Sequence, residues 1–214
     1  MKQTKISEAV VRRLPVYLQV LHELKSREIQ TVSSQDLGNR LDLNPAQIRK
    51  DLAYFGDFGR KGIGYEVDYL IDKIQHILKI NQTINVALIG AGNLGHALCN
   101  YNKYSNDNMQ IVAVFDNVES KVDTKINNLT VQPMAQLTKQ IAELNIRIGI
   151  ITVPASEAQN VANQLIESGI EGILNFAPTI LRAPDSVRIQ YADFTKELLS
   201  LAYYLNNKEE ANDE

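Results

Sequence analysis

The stretch that most constrains this chain runs from residue 84 to residue 116 and reads I-N-V-A-L-I-G-A-G-N-L-G, a helical run, then I-V-A-V-F-D. Residues 86–89 form a short apolar run of the kind found in buried parallel strands. Gly90, Gly92 and Gly95 follow at G-x-G-x-x-G spacing, with Ala91, Asn93 and Leu94 between them. In such a loop the first glycine permits a tight turn out of the strand. The second lets a pyrophosphate approach the backbone, and the third lets the next helix pack closely on the sheet. That helix presents free N–H groups and a partial positive charge to phosphates. A second apolar run, 111–115, ends in Asp116, 26 residues beyond Gly90. Its carboxylate can accept from both hydroxyls of a ribose. The order strand, glycines, helix, strand, acid points to a dinucleotide site. The competing readings are a shell of the same fold that binds nothing, or one that binds coenzyme A. Asp116 repels a 2′-phosphate, and no arginine follows it. Lys121 lies nearby but could equally face solvent, so NAD(H) is expected over NADP(H).

Downstream, strands and helices alternate, which predicts a doubly wound parallel sheet. Short strands are expected at 129–132, 147–152, 172–174 and 187–191. Helices are expected at 133–144, from a Ser156 cap to Ser168, and at 193–205. Thr152, Val153 and Pro154 end one strand, and Asn175, Phe176, Ala177 and Pro178 end another. Ligands in such sheets sit beyond the carboxyl ends of strands, so these seven residues are candidates for the nicotinamide half of the site; the alternative is ordinary loop entry.

The 214 residues carry a net charge of −3 that is unevenly spread. Residues 1–81 hold 13 lysines and arginines against 10 aspartates and glutamates; the remainder holds 9 against 15. The basic end can therefore meet phosphates although the whole chain is acidic. One cysteine, Cys99, excludes a disulfide framework and a cysteine metal cluster, and reads as a packed core thiol rather than a redox centre. His22, His76 and His96 show no metal spacing, so no metal is expected. No apolar run approaches the roughly 20 residues needed to cross a bilayer, and no signal-like core follows the N-terminus. A cytoplasmic protein without a membrane partner is expected.

The basic end has its own pattern. Val10, Leu14, Tyr17, Leu18, Leu21 and Leu24 recur at helical spacing over 7–28, interrupted by Pro15, which predicts a kink or a late start. Ser33 caps a second, short helix with Asp36 as capping-box partner, and Val32 and Leu37 stand at the ends of a hydrophobic staple. Asn44 and Pro45 begin a third helix, with Ile48, Leu52 and Phe55 toward the core. Ala46, Lys50, Ala53 and Tyr54 lie opposite, flanked by Gln47 and Arg49. Small, hydrogen-bonding and cationic side chains on one helix face suit a major groove. Alone, this helix also reads as a solvated amphipathic one. The glycine-rich stretch that follows, with Gly62 and Gly64 around Arg60 and Lys61, predicts a β-hairpin wing with a basic tip. Together these describe a winged helix-turn-helix. The expected divisions are 1–81 for DNA binding, 82–192 for a Rossmann domain, 193–206 for a terminal helix, and 207–214 for a disordered tail.

R-K-D-L-A-Y-F-G at 49–56, G-R-K-G-I-G-Y at 59–65, G-A-G-N-L-G at 90–95, F-D at 115–116, T-V-P at 152–154 and G-I-L-N-F-A-P at 172–178 are shared with a known family. Over about residues 6–205 the chain resembles the Rex family of redox-sensing transcriptional repressors. The resemblance implies a homodimer whose terminal helices are exchanged between subunits. It implies binding to an inverted-repeat operator as free or NAD+-bound protein, and release by NADH. Arg49 and Lys50 would contact DNA from the third helix, and Arg60, Lys61 and Gly62 from the wing. Residues 90–95 would hold the pyrophosphate and Asp116 the adenine-side ribose, with Phe194 of the exchanged helix near the nicotinamide. Tyr101 and Asp193 would exchange partners with the redox state, together with a first-helix arginine. Gln19 stands where the family has that arginine, so the ionic part of the switch departs from the family pattern; Arg12 and Arg13 are the cations nearby. A dehydrogenase is disfavoured, because no histidine or lysine stands at the strand ends after Thr152 or Asn175. A regulator sensing coenzyme A or another nucleotide, and a purely structural or protein-interaction role, are the remaining alternatives.

Overall fold

The structure is a computed structural model that describes residues 6–54, 56, 59–60, 63–80, 82–102 and 109–210, with backbone alone at 60, 101–102 and 206–210. The chain forms two compact units, Met1–Gln82 and Thr83–Glu214.

The first unit is a winged helix. Helix α1 (Glu8–Ser26) starts at a Ser7 cap and runs through Pro15. The expected late start is thus wrong: the Ser7 cap and the first two of six buried side chains, Val10 and Leu14, hold the first two turns in place. Those six are the ones the periodicity selects, Val10, Leu14, Tyr17, Leu18, Leu21 and Leu24. Burying each such side chain contributes about 1.5–3 kcal/mol, enough to outweigh the hydrogen bond that a proline lacks. A short strand, β1 (Thr31–Val32), precedes helix α2 (Ser34–Leu41), whose capping box joins Ser33 and Asp36 reciprocally. Helix α3 (Pro45–Ala53) opens with the Asn44 side chain accepting from the Ala46 N–H at 2.8 Å. The turn between α2 and α3 is tight. A side chain at Gly38 would lie 2.6 Å from the Leu43 carbonyl, and Asp42 takes a left-handed backbone, φ 52°. Strands β2 (Gly59–Arg60) and β3 (Gly64–Glu66) make the wing, and β3 also pairs with β1. Helix α4 (Val67–Leu78) closes the core with Val67, Leu70, Ile71 and Ile74. Phe55, Lys61 and Gly62 lie outside the described residues.

The second unit is a Rossmann fold. Strands β4 (Ile84–Ile89), β5 (Met109–Asp116), β6 (Lys125–Ile126), β7 (Leu129–Pro133), β8 (Ile146–Ile151), β9 (Gly172–Asn175) and β10 (Arg188–Tyr191) form one sheet in the order β10-β9-β8-β4-β5-β7-β6. All neighbours are parallel except β6, which turns back on β7. Helices α5 (Asn93–Asn102), α6 (Leu137–Glu143) and α7 (Ala155–Glu167) cover the sheet. The chain leaves β4 toward β5 and returns to β8 on the other side, so β4 and β8 flank the point where ligands bind in such sheets. Three expectations shift here. Residues 134–136 form a 3₁₀ turn ahead of α6. Helix α7 begins after Pro154 with no side-chain cap, so Ser156 is not its cap. Strand β6 was not foreseen.

Helix α8 (Phe194–Glu210) ends the described chain. It runs past the expected boundary at 206, so 207–210 are helical rather than part of a disordered tail; 211–214 lie outside the described residues. No described helix is long and apolar enough to cross a membrane.

Candidate functional site

At the end of β4 the chain turns at Gly90, φ 109°. A side chain there would lie 2.8 Å from the Thr152 carbonyl oxygen. Thr152 closes the same junction from β8: its N–H donates to the Ile89 carbonyl at 2.9 Å, and its hydroxyl reaches the Ile89 and Gly90 carbonyls at 2.9 and 2.8 Å. A side chain at Gly95 would run into the Gly90 carbonyl, so α5 can seat on the loop only with glycine there. Gly92 differs, because among the described residues, its chain neighbours aside, nothing lies within 4 Å of where its side chain would be. Packing explains Gly90 and Gly95; space left for something else explains Gly92.

That space belongs to a cavity of about 590 Å³. Gly90, Gly92, Asp116, Lys121, Thr152, Val153 and Pro154 all line it. Sequence reasoning missed Met134 and a stripe on α7, Glu157, Asn160, Val161 and Gln164, that lines it too. The signal was there: polar residues at helical spacing directly after T-V-P, facing the glycine loop across the switch point.

Asp116 is 5% exposed. Its carboxylate accepts from the Ala91 N–H at 2.7 Å, the Val118 N–H at 2.9 Å and the Lys121 ammonium at 3.1 Å. Burial pushes its pKa up, but those donors outweigh burial and hold it below the ordinary aspartate value, so it stays charged. A carboxylate offers about four acceptor positions. Three are used within the chain, which leaves a position open on Oδ1. Lys121 is tied to Asp116 and does not point freely into solvent.

The other predicted cofactor residues fall elsewhere. Asn175 is buried and organises its own loop: its amide nitrogen donates to the Ala177 and Thr179 carbonyls, each at 3.0 Å, and its oxygen accepts from the Ala177 N–H at 2.9 Å. Its polar atoms are spent on the chain, not on a ligand. Ala177 is core, and the half-buried Phe176 ties its N–H to the Ile151 carbonyl. Ala91, Asn93, Leu94 and Gly95 shape the loop and first turn without lining the cavity. Phe194 is 75% exposed and does not line it. Asp193 accepts from the Thr195 N–H at 3.0 Å and so caps α8. Gln19 is exposed on α1, and the Tyr101 side chain lies outside the described residues. Cys99 is buried, and burial pushes its thiol up to about 11, which suits a packed thiol. No group of three or more metal-binding side chains occurs among the described residues.

The first unit presents α3. Ala46, Arg49, Lys50, Ala53 and Tyr54 are exposed, and Arg49 donates to the Ser34 hydroxyl at 2.8 Å. Behind this face is a carboxylate that sequence reasoning did not single out. Asp51 is fully buried and accepts four hydrogen bonds. Arg13 donates at 2.6 and 2.9 Å, Tyr17 at 2.6 Å and Gln47 at 2.6 Å. Gln47, expected on the flank of the groove-side face, is therefore anchored by one end. Burial raises the Asp51 pKa, but Arg13, Tyr17 and Gln47 together bring it below the ordinary value. In the wing, Gly59 and Gly64 have packing reasons: side chains there would meet the Tyr65 ring at 2.9 Å and the Val32 carbonyl at 2.5 Å. The Arg60 side chain, Lys61 and Gly62 lie outside the described residues.

Comparison with known proteins agrees with both halves. Residues 5–53 match a family model described as the N-terminus of putative DNA-binding proteins, and 81–179 match one described as a CoA binding domain. A redox-sensing transcriptional repressor Rex of Brevibacillus brevis is 59% identical over 95% of this chain and 99% of its own length. A protein of the same name from Carboxydothermus hydrogenoformans is 47% identical over 95% of this chain and 98% of its own. Among solved structures, RSP in complex with β-NAD+ and operator DNA matches with a TM-score of 0.88 and 35% identity, over 98% of this chain and 97% of that one. RSP in complex with β-NADH matches with a TM-score of 0.88 and 34% identity, over 98% and 99%.

Proposed function

This chain belongs to the Rex family of redox-sensing transcriptional repressors, and from that premise we propose how its two units do the work. It is a DNA-binding repressor that takes NAD(H), and not an enzyme. The observation that carries the cofactor reading is the 590 Å³ cavity over Gly92, edged by the charged Asp116. Residues 90–95 and the start of α5 hold the pyrophosphate, and Asp116 takes one hydroxyl of the adenine-side ribose. Val118, Met134, Val153 and Val161 give the adenine an apolar wall. Coenzyme A, the ligand in the name of one family model, carries a phosphate on that ribose, which a charged Asp116 repels.

The working form is a homodimer. Phe194, Leu198, Leu199, Leu201, Tyr203, Tyr204 and Leu205 of α8 are each more than half exposed in the single chain. Covering such side chains is worth about 1.5–3 kcal/mol apiece, and a second copy exchanging its own α8 covers them symmetrically. Dimeric winged helices must hold their recognition helices roughly 34–36 Å apart to enter successive major grooves of an inverted repeat. A ligand that changes the angle between subunits therefore releases DNA without touching the DNA surface. Moving the competent fraction from 99:1 to 1:99 requires a preference of about 5.5 kcal/mol. Phe194 from the partner copy favours the neutral nicotinamide of NADH over the cationic ring of NAD+, because desolvating a charge costs more. Such a repressor acts in the cytoplasm, where the DNA is.

The test is transcription in vitro from a promoter carrying an inverted-repeat operator. Repression with NAD+ that NADH relieves supports this reading. Repression that ignores both nucleotides, or none at all, contradicts it.

A further inference from the structure

Gln47 stands on the flank of the exposed face of α3, half-buried, with Lys50 and Tyr54 one and two turns further along. Its amide nitrogen donates to Asp51 Oδ1 at 2.6 Å. The identity of that atom is chemically forced. Asp51 also takes Arg13 Nη2 on Oδ1, and Arg13 Nε and the Tyr17 hydroxyl on Oδ2. An ionised carboxylate only accepts hydrogen bonds, so Gln47 must turn its NH2 inward and its carbonyl oxygen away. Among the described residues no donor meets that Oε1, and it is not among their buried, unpartnered atoms.

A free glutamine reads adenine with both ends at once, its oxygen on N6 and its nitrogen on N7. Gln47 cannot, because one end is committed to the protein. What remains is a single acceptor held at a set angle by a buried ionic cluster. We propose that Gln47 is an oriented acceptor that selects an amino base, adenine through N6 or cytosine through N4, on one strand at one position of each half-site. Guanine and thymine present O6 and O4 there, and two acceptors facing each other repel. Asp51 is then a positioning residue for base choice, acting through Gln47. This inference rests on the reading of α3 as the recognition helix.

Full-length protein is titrated with duplexes in which each half-site position carries each of the four bases in turn. For the wild type, one position binds adenine or cytosine about tenfold more tightly than guanine or thymine, the size of a single mismatch. In Gln47→Met, which keeps the bulk and loses the acceptor, that preference collapses at this position and the other positions keep theirs. In Asp51→Asn the new side-chain amide can donate to Gln47 and let it reverse, so the amino-base preference is lost although Gln47 remains. A structural role alone would weaken all sites together and shift no base preference. The inference is overturned if Gln47→Met keeps the wild-type preference at every position, or if the affected position favours guanine or thymine. A wild type with no base preference anywhere would instead remove the recognition-helix reading beneath it.

Discussion

Asp51 and Asp116 are both almost sealed from solvent, at 0% and 5%, and each keeps its charge, yet they are closed to different degrees. Asp51 in the winged helix takes four bonds, all from side chains, and has no acceptor position left. Asp116 in the Rossmann unit takes two from backbone N–H groups and one from Lys121, and faces a cavity with a position to spare. The same residue type is a finished joint in one unit and an acceptor left open at a cavity in the other. What separates them is whether the chain supplies every donor.

If that contrast is right, the two should respond differently to loss. Asp51→Ala leaves the Arg13 guanidinium without its buried partner, and breaking such a pair costs about 3–5 kcal/mol. Urea unfolding should show the winged-helix unit destabilised by that order, with NADH affinity nearly unchanged; an unaltered midpoint would break the comparison. Asp116→Ala orphans the N–H groups of Ala91 and Val118, at about 1–3 kcal/mol. It should also weaken NADH binding at least about tenfold, since hydrogen bonds to a charged group are worth about 1.5–3 kcal/mol. The chain has no tryptophan, so nucleotide fluorescence reports binding without that background. Gly92→Ala sharpens the contrast further. Among the described residues, its chain neighbours aside, no atom lies within 4 Å of the new methyl group, so stability should hold within about 0.5 kcal/mol. NADH affinity should fall about tenfold, the cost of crowding a filled site. Equal affinity would mean the pyrophosphate does not pass there.

The smallest effect is acid sensitivity. Both carboxylates have folded pKa values below the ordinary 3.8. The unfolded chain therefore binds protons first, and the stability they contribute is complete above the ordinary aspartate range. It is lost as pH falls through the lowered values. Midpoints in urea measured from about pH 6 down to pH 3 should decline. They should decline less steeply in Asp51→Asn, which titrates one group fewer; an unchanged slope would remove Asp51 from the acid limb.

Much of this was visible in the chain because it depends on local spacing. The periodic residues of α1, the Ser33–Asp36 capping box and the glycine spacing at 90–95 are patterns written within single elements, even though Gly90 packs against the distant Thr152. What stayed hidden depends on distant partners. Asp51 goes unmarked in the sequence because its partners Arg13 and Tyr17 lie 38 and 34 residues away. The same cluster anchors Gln47, which the spacing places only on the flank of the face. Asn175 sits at a strand end, where ligands bind, but the carbonyls of Ala177 and Thr179 reach it first. The pattern of α8 predicts a buried face, and in one chain that face is bare. Periodicity reports that a side chain wants cover, not which chain supplies it.

NADH bound in the cavity above Gly92 is expected to control the DNA held by α3. Fluorescence anisotropy of full-length protein on a labelled inverted-repeat duplex, at fixed salt, measures this directly. NADH should release the duplex at concentrations where NAD+ leaves it bound, and Gly92→Ala should need about tenfold more NADH to do so. Tight DNA binding that is indifferent to both nucleotides would contradict the account.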